Sequence, residues 1–273
     1  MSTERLDQHM VRTGLARSRT LAQRLIRAGS VHVGQDTVTK ASYAVAPGQH
    51  VRLTVDESHQ WVGRGALKLL HALAVWGEGA DPGRLQVTGR RCLDVGASTG
   101  GFTEVLLEHG AVAVTALDVG HDQLVPELAN DPRVTDLPGT NIREVTPEQV
   151  GTFDLVVGDV SFISLTLVLP AVARVVRPGA DLIFLVKPQF EVGREQVGRG
   201  GIVTAQSARG GALERVSDAA LTLGWQVRGI ERSPVRGTHG NTEYLLWLAT
   251  DKAGMMSADG ITARIRELLR EDD

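Results

Sequence analysis

Four charged residues lie beside apolar stretches whose patterns are typical of buried strands and helices. Lys187 and Asp159 each follow an apolar stretch, and Glu243 begins another one. Lys68 lies further upstream, in a stretch with helical spacing. A hydroxyl group is a weak nucleophile, and a lysine between two carboxylates can take its proton or stabilise the developing alkoxide. We therefore expect these four residues to meet at one edge of a sheet, where a lysine held between the two acids could do one or both.

Each of these residues also has a purely structural interpretation. Lys68 could be a solvated helix residue, and Glu243 could be a surface residue of a strand. Asp159 could cap the helix that follows it. Lys187 is the hardest to explain in this way, because a buried strand carries its charged amine to the edge of the sheet.

A glycine-rich loop spans residues 94–102, Asp-Val-Gly-Ala-Ser-Thr-Gly-Gly-Phe. Glycines let a backbone approach a ligand closely, and the helix that follows offers free N–H groups. The spacing matches neither the dinucleotide fingerprint nor the P-loop. Asp94 would repel a pyrophosphate but attract an ammonium or sulfonium group, and Asp118 is placed to bind a ribose diol. This pattern predicts an S-adenosylmethionine (SAM) site, and the alternative is a tight turn oriented by Asp94.

Apolar strands alternate with helical patterns through most of the chain. The strand candidates are residues 91–95, 112–118, 154–158, 182–187, 226–231 and 243–249. The helix candidates are residues 64–76, 100–109, 121–129, 164–176, 207–223 and 258–270. This order predicts an α/β fold with a buried parallel sheet, whose ligands bind at the carboxyl ends of the strands. Only a short connection joins the last two strands, so the last strand is expected to be antiparallel.

The amino-terminal part of the chain differs in charge from the rest. The net charge of all 273 residues is −3, which by itself argues against nucleic-acid binding. Residues 1–55, however, contain 8 Lys and Arg against 3 Asp and Glu. They read as two short helices followed by short strands, which predicts a small basic α+β domain. We expect a polar linker over residues 56–62 and a catalytic domain over residues 63–273.

This basic domain is expected to dock on RNA through phosphate contacts. The candidate RNA-binding residues are Arg5, Arg17, Arg19, Arg24 and Arg27. The alternative is that these arginines only form a solvated helix face. The single Cys92 excludes an internal disulfide, the eight histidines form no ligand-spaced cluster, and we expect no metal. An apolar leader and a membrane-length apolar run are both absent, which favours a cytoplasmic protein.

With these motifs in order, the chain resembles the TlyA family of ribosomal RNA 2′-O-methyltransferases, also known as hemolysin A. The first segment, from Arg5-Leu6-Asp7 to Val31-His32-Val33, is similar to the αL-type RNA-binding domain of the ribosomal protein S-four type. The second part is similar to FtsJ-like methyltransferases. Its matching motifs are Arg64-Gly65…Lys68-Leu69, residues 94–103, Asp159-Val160-Ser161-Phe162-Ile163-Ser164, Val186-Lys187-Pro188-Gln189-Phe190-Glu191 and Gly240-Asn241-Thr242-Glu243-Tyr244.

The resemblance implies a Rossmann-like, SAM-dependent methyltransferase sheet that follows the RNA-binding domain. It implies methylation of cytidine ribose in ribosomal RNA of one or both subunits, with a link to capreomycin and viomycin susceptibility. The implied catalytic residues are Lys68, Asp159, Lys187 and Glu243. On this basis we expect Lys187, oriented by Asp159 and Glu243, to activate the 2′-hydroxyl, while Lys68 helps to hold the ribose or phosphate. The implied SAM-binding residues are Asp94, Gly96, Ser98, Gly100, Phe102, Asp118 and Asn141.

Other functions remain as alternatives. A base-directed RNA methyltransferase could use the same fold, but the chain has no second cysteine and no Asn-Pro-Pro-Tyr-like motif. A pore-forming hemolysin would need membrane-spanning segments, which the sequence does not offer. A non-catalytic RNA-binding scaffold would not need the glycine-rich loop and the four charged residues. We expect ribosomal RNA or ribosomal subunits as partners, with no membrane and no obligatory protein partner.

Overall fold

The computed structural model describes residues 3–16, 18–54, 61–77, 83–237, 239–251 and 255–270. The chain divides into two compact units, Met1–Arg64 and Gly65–Asp273. Most of the predicted linker, residues 56–60, lies outside the described residues.

The first unit combines two helices with short strands in its described part. These are β1 (Glu4–Arg5), α1 (Leu6–Arg12), α2 (Arg19–Arg27), β2 (Val31–Val33), β3 (Asp36–Thr37), β4 (Ala44–Val45) and β5 (Val51–Leu53). The hydroxyl of Ser18 accepts a hydrogen bond from the Leu21 amide at 3.2 Å, which caps α2. β2 pairs with β3 and β5, and β1 pairs with β4. Leu6, Met10 and Ile26 form the centre of a small apolar core.

The second unit is a seven-stranded sheet with helices. Its strands are β6 (Arg91–Val95), β7 (Ala113–Leu117), β8 (Val134–Leu137), β9 (Phe153–Gly158), β10 (Val176–Val186), β11 (Gln226–Arg232) and β12 (Tyr244–Ala249). Its helices are α3 (Gly65–Gly77), α4 (Gly101–Glu108), α5 (Pro126–Ala129), α6 (Pro147–Val150), α7 (Leu165–Val172), α8 (Pro188–Glu191), α9 (Gln206–Thr222) and α10 (Ala258–Arg270). Among the described residues, no helix combines the length and apolar character that crossing a bilayer requires.

The order of the strands places their functional ends at one edge. The sheet runs β11-β12-β10-β9-β6-β7-β8, and β6 to β10 pair in parallel. β12 is antiparallel to both of its neighbours, as predicted for the last strand. Its register pairs Tyr244 with Val186. The start of β12 therefore lies beside the carboxyl end of β10, which brings Glu243 to the same edge as Lys187.

The segment after β7 differs from its prediction. Helix was expected over residues 121–129, but α5 covers only Pro126–Ala129. Asp118 accepts a hydrogen bond from the Gly120 amide, and Asp122 has a φ of 54°, so the chain turns away from helical geometry here. The sequence does not predict β8, because it is a short edge strand whose two central residues, Thr135 and Asp136, are polar and leave only a weak apolar signal.

Candidate active site

Asp159 lies between two lysine ammonium groups. It directly follows β9, and its Oδ2 accepts a hydrogen bond from Lys68 Nζ at 3.0 Å. Its Oδ1 lies 2.7 Å from Nζ of Lys187, the residue that follows β10. A single carboxylate therefore pairs with a lysine from α3 and with a lysine from the end of a strand.

Glu243 completes the cluster, and Lys68 Nζ donates a hydrogen bond to its Oε2 at 2.8 Å. The structure thus brings the four predicted catalytic residues together. The expectation that Glu243 orients Lys187 is wrong, because Glu243 pairs with Lys68. The reason is that α3 carries Lys68 across the end of β10, where its amine reaches carboxylates from the strands on both sides. Lys187 instead donates a hydrogen bond to the hydroxyl of Ser161 at 2.8 Å.

The electrostatics of the cluster favour its charged state. Burial disfavours the ammonium of Lys68, but the carboxylates of Asp159 and Glu243 outweigh burial and raise the pKa of Lys68. Burial would also raise the pKa of Asp159, but the ammonium groups of Lys68 and Lys187 lower it below its ordinary value. Lys68 and Asp159 therefore stay charged at neutral pH. An ammonium that stays protonated can hold an anion or a hydroxyl oxygen, but it cannot accept a proton.

The glycine-rich loop passes from β6 to α4 close to the chain that carries Asp159. Gly96 has a φ of 81°, a left-handed conformation that favours glycine. A Cβ atom at this position would lie 3.0 Å from the Asp159 carbonyl oxygen. The absence of a side chain at Gly96 thus allows the loop to approach the backbone of Asp159 closely.

Asp118 is fixed at the end of β7 by the backbone around it. Its Oδ2 accepts a hydrogen bond from the Ser98 amide at 2.8 Å, and its Oδ1 accepts one from the Gly120 amide at 2.8 Å. Ser98 adopts a left-handed φ of 48°, which turns its amide toward this carboxylate. Each carboxylate oxygen has a second lone pair, so Asp118 can still accept hydrogen bonds from a diol.

A cavity of about 400 Å³ opens between the glycine-rich loop and Asp159, the carboxylate that pairs with both lysines. This volume is within the range of small-molecule sites. The predicted SAM-binding residues that line it are Gly96, Ser98, Asp118 and Asn141. Asp159 and Ser161 line the same cavity. A ligand bound here would therefore lie directly beside the carboxylate that pairs with both lysines.

The other three predicted SAM-binding residues do not line this cavity. Gly100 faces Leu124 and Leu128, which a Cβ atom at this position would overlap. Phe102 is buried, and its ring packs below Gly65 at the start of α3. Gly100 and Phe102 therefore support the loop on the side that faces away from the cavity. The sequence places them beside the ligand because spacing does not show which side of a loop faces the cavity.

Asp94 lies beneath the loop and is fully buried. Its Oδ2 accepts a hydrogen bond from the Thr103 hydroxyl at 2.7 Å, while Oδ1 has no hydrogen-bond partner among the described residues. Burial, with smaller contributions from Asp159 and Asp118, raises the pKa of Asp94 to about 7. An isolated buried carboxylate of this kind favours a cation nearby.

Two aromatic residues beside the cluster were missed in the sequence. Phe162 is 91 % exposed and has a φ of 65°. Its ring centroid lies 5.1 Å from that of Phe190 on α8, the short helix that follows Lys187. A bulky residue in the left-handed region is strained, and such strain is concentrated at functional sites. Both residues occur in motifs that carry the family resemblance, but sequence alone does not show that Phe162 faces solvent.

Glu191 connects the two segments that carry Asp159 and Lys187. It lies at the end of α8, and its Oε2 accepts a hydrogen bond from the Ser164 hydroxyl at 2.6 Å. Its Oε1 accepts one from the Leu165 amide at 2.8 Å, at the start of α7. Burial raises the pKa of Glu191, although these donors oppose the rise. This contact fixes the end of the loop after Asp159 relative to the chain that follows Lys187.

In the first unit, a buried carboxylate pairs with two of the predicted RNA-binding arginines. Arg5 donates hydrogen bonds to both oxygens of Asp7, at 3.0 and 3.1 Å, and Arg19 donates one at 3.0 Å. Gln23 adds a fourth donor at 2.9 Å. The hydrogen bond from Arg5 is the largest of the effects that hold the pKa of Asp7 well below its usual range, against the opposing effect of burial. The side chains of Arg5 and Arg19 remain 43 % and 52 % exposed.

The remaining predicted RNA-binding residues, Arg17, Arg24 and Arg27, differ in their exposure. Arg27 is exposed at the end of α2, whereas Arg24 on the same helix is half-buried. Arg17 lies outside the described residues. Arg5, Arg19 and Arg27 are thus the candidates whose positions and exposure suit contact with a phosphate backbone.

Comparison with known families agrees with this architecture. The FtsJ-like methyltransferase family matches residues 61–250, and the S4 domain matches residues 4–51. The first match covers more than half of the chain. The chain therefore belongs to the FtsJ-like methyltransferase family, and it carries an S4 domain at its amino-terminal end.

Comparison with individual proteins shows which members of this family the chain resembles. A Mycobacterium tuberculosis protein named 16S/23S rRNA (cytidine-2′-O)-methyltransferase TlyA is 46 % identical over 98 % of this chain and 97 % of its own length. Hemolysin A of Brachyspira hyodysenteriae is 35 % identical over 88 % of this chain and 98 % of its own. A solved structure of a candidate hemolysin from Streptococcus thermophilus is 38 % identical, with a TM-score of 0.72, and the match covers 100 % of this chain and 98 % of that one. The predicted resemblance to TlyA is confirmed.

Proposed function

We propose that this protein transfers the methyl group of SAM to the 2′-hydroxyl of a cytidine in ribosomal RNA. The observation that carries the proposal is the position of Asp159, which lines the cofactor-sized cavity and pairs with both lysines. A base-directed reaction has no need of an amine at this position, whereas a ribose hydroxyl does. The name of the Mycobacterium tuberculosis relative supports both the nucleoside and the oxygen as the target.

The residues around the cavity fit SAM. When bound, SAM supplies a methyl group on a positively charged sulfur, which becomes a neutral thioether as the methyl group leaves. Asp118 would accept hydrogen bonds from the ribose diol, and Gly96 and Ser98 would provide a close backbone wall. The unpartnered oxygen of Asp94, buried beneath the loop, would favour the positive charge of the ligand without touching it. Asn141 would contribute a polar group from the opposite side.

Lys187 would act directly on the hydroxyl group of the substrate. The Lys187 ammonium that pairs with Asp159 would first release a proton to solvent. Its neutral amine would then accept the hydroxyl proton as the new carbon–oxygen bond forms, which restores the ammonium ion. Lys68 stays charged and holds the carboxylates of Asp159 and Glu243 in place. Such proton transfer in the transition state typically contributes a factor of about 10²–10⁴ to the rate.

The S4 domain would bind folded ribosomal RNA through its arginines, and the exposed ring of Phe162 would offer a stacking surface to an unstacked base at the active site. Ribosomal subunits are the proposed partners, which would place the protein in the cytoplasm. On the resemblance to TlyA, we extend the proposal to the antibiotics: ribosomes methylated by this protein should be more susceptible to capreomycin and viomycin than unmethylated ones.

The test is to incubate purified protein with unmethylated ribosomal subunits and methyl-labelled SAM, digest the RNA to nucleosides, and identify the labelled product by mass spectrometry. We expect 2′-O-methylcytidine. Label on a cytosine base would favour the base-directed alternative, and label absent from both subunits would contradict the proposed substrate. Mapping the labelled position then identifies the nucleotide and the subunit.

A further inference from the structure

The amine of Lys187 makes two contacts of different kinds. Its Nζ lies 2.7 Å from Asp159 Oδ1 and donates a hydrogen bond to Ser161 Oγ at 2.8 Å. A tetrahedral amine nitrogen has three positions besides its bond to carbon. The hydrogen bond to Ser161 directs one of these positions, and the ion pair with Asp159 holds the charged nitrogen close to the carboxylate.

One of these contacts would not be enough to fix the amine. Asp159 also pairs with Lys68, which attracts the carboxylate from the other side. With Asp159 as its sole contact, the amine of Lys187 could swing around that carboxylate oxygen. The hydrogen bond to the Ser161 hydroxyl limits this freedom, because it is the directed contact of the amine. Lysine side chains are otherwise flexible and lose much rotamer freedom when they are held.

Ser161 is well placed for such a role, because its loop is restrained at both ends. Ser161 lies two residues after Asp159, and it lines the cavity beside the glycine-rich loop. The next residue, Phe162, has a left-handed φ of 65°. Further along, Glu191 accepts hydrogen bonds at the start of α7. Ser161 therefore both lines the cavity and accepts a hydrogen bond from the amine of Lys187.

We propose that Ser161 is a positioning residue that directs the reactive position of Lys187 toward the substrate hydroxyl. The proposal rests on the proposed function, because it assigns Lys187 to the ribose hydroxyl. As the hydroxyl is methylated, its proton passes to the lone pair of Lys187, and Ser161 continues to accept a hydrogen bond from the same nitrogen. Ser161 itself gains and loses no proton in this step.

The kinetic test compares Ser161→Ala with Ser161→Thr, which keeps the hydroxyl. Ser217→Ala removes a buried hydroxyl from α9, away from the cluster, and serves as the matched control. We expect Ser161→Ala to lower kcat by about tenfold or more, because misplacing a reacting group by a fraction of an ångström is costly. KM for SAM and for ribosomal subunits should stay within about twofold of wild type, and Ser161→Thr should restore most of kcat.

A loss confined to KM for SAM would overturn the proposal, because it would make Ser161 a cofactor contact only. Wild-type kcat in Ser161→Ala, or an equal loss in Ser161→Thr, would overturn it as well.

A second measurement does not depend on the RNA substrate. Reductive methylation of the folded protein, followed by peptide mass spectrometry, reports how readily each lysine amine reacts. We expect Lys187 to react several-fold faster in Ser161→Ala than in wild type or Ser161→Thr, because one of its two contacts is lost. An unchanged rate at Lys187 would contradict the positioning role. Absence of 2′-O-methylcytidine with wild-type protein would instead overturn the proposed function, and the labelling result would still decide whether Ser161 holds Lys187.

Discussion

Each unit of this protein contains an aspartate shared by two cationic side chains, but the cations differ. In the S4 unit, the buried Asp7 pairs with Arg5 and Arg19, whose side chains are about half exposed. In the methyltransferase unit, Asp159 pairs with Lys68 and Lys187, whose side chains are only 10 % and 9 % exposed. Both carboxylates have lowered pKa values and stay ionised.

The difference lies in what the cation can do once it is held. Arginine keeps its proton and presents several N–H donors in a planar fork, so a guanidinium with one edge on Asp7 can offer another edge to a phosphate. Lysine has a single tetrahedral nitrogen that can lose a proton, which suits chemistry at one atom. On the proposed function, the same carboxylate arrangement thus organises a binding surface in one unit and a reactive amine in the other.

The largest expected effect comes from removing the carboxylate between the lysines. Asp159→Ala leaves two buried ammonium groups without a shared partner, which should lower the free energy of unfolding by about 3–5 kcal/mol. Methyl transfer should fall below detection in the same variant. Chemical denaturation and the nucleoside assay measure the two effects. Asp218→Ala, an exposed position on α9, is the control and should change stability by about 0.5 kcal/mol or less. A fully stable Asp159→Ala would contradict the ion-pair account.

Asp94 extends the comparison to a buried aspartate that forms no ion pair with the residues that the structure describes. Its folded-state pKa of about 7 lies above the ordinary 3.8, so the folded protein holds this proton more tightly than the unfolded chain. The unfolding free energy should therefore fall as pH rises from about 4 to 7, with a contribution of about 4 kcal/mol at most.

Asp94→Asn should remove this dependence, so the variant should gain stability over wild type at pH 8 and little at pH 5. Thermal unfolding at the two pH values, without SAM, measures the difference. The control is Thr103→Val, which removes the hydroxyl donor to Asp94 but keeps the carboxyl group, and which should retain the pH dependence. Equal gains for Asp94→Asn at both pH values would show that Asp94 ionises normally.

Asp7→Asn tests the arginine side of the comparison. The variant keeps both arginines charged but weakens their alignment, and it should lower stability by about 1–3 kcal/mol. Affinity for ribosomal subunits should fall several-fold, while the slope of log K against log salt stays close to wild type, because the number of phosphate contacts is set by charge. A large loss of slope would mean that Asp7 does more than orient its partners.

The smallest effect is expected from removing one arginine. Arg19→Ala should reduce the slope of log K against log salt by about 0.7–0.9, the value for one phosphate contact. Arg270→Ala, at the end of α10, removes the same charge from the second unit and should leave the slope unchanged. Filter binding at four or five salt concentrations is sufficient. Equal slopes for wild type and Arg19→Ala would remove Arg19 from the RNA contact.

The sequence predicts that the four charged residues come together, because strand ends are visible as breaks in apolar stretches. Once β12 is antiparallel, Lys187 and Glu243 must lie at one edge of the sheet. The sequence does not predict which lysine pairs with which acid, because the pairing depends on the path of α3 above the sheet. Glu243 was therefore expected beside Lys187 but contacts Lys68.

The orientation of loop side chains is not predictable from the sequence, because the backbone conformation of a loop decides where its side chains point. Asp94 and Gly96 are two residues apart, yet only Gly96 lines the cavity. The left-handed φ values of Ser98 and Phe162 cannot be expected from residue types that usually avoid that region. The contact between Ser161 and Lys187 depends on the conformation of the loop that contains Phe162, so the sequence does not show it. This holds although Ser161 lies only two residues after Asp159.

The central claim is that Lys187 acts on the hydroxyl while Lys68 anchors the carboxylates. Single-turnover methylation of ribosomal subunits by Lys187→Ala, together with calorimetric measurement of SAM binding, tests it most directly. We predict that 2′-O-methylcytidine formation falls by about 10³-fold, while the Kd for SAM stays within about threefold of wild type. A Lys187→Ala variant that methylates within tenfold of the wild-type rate would contradict the claim.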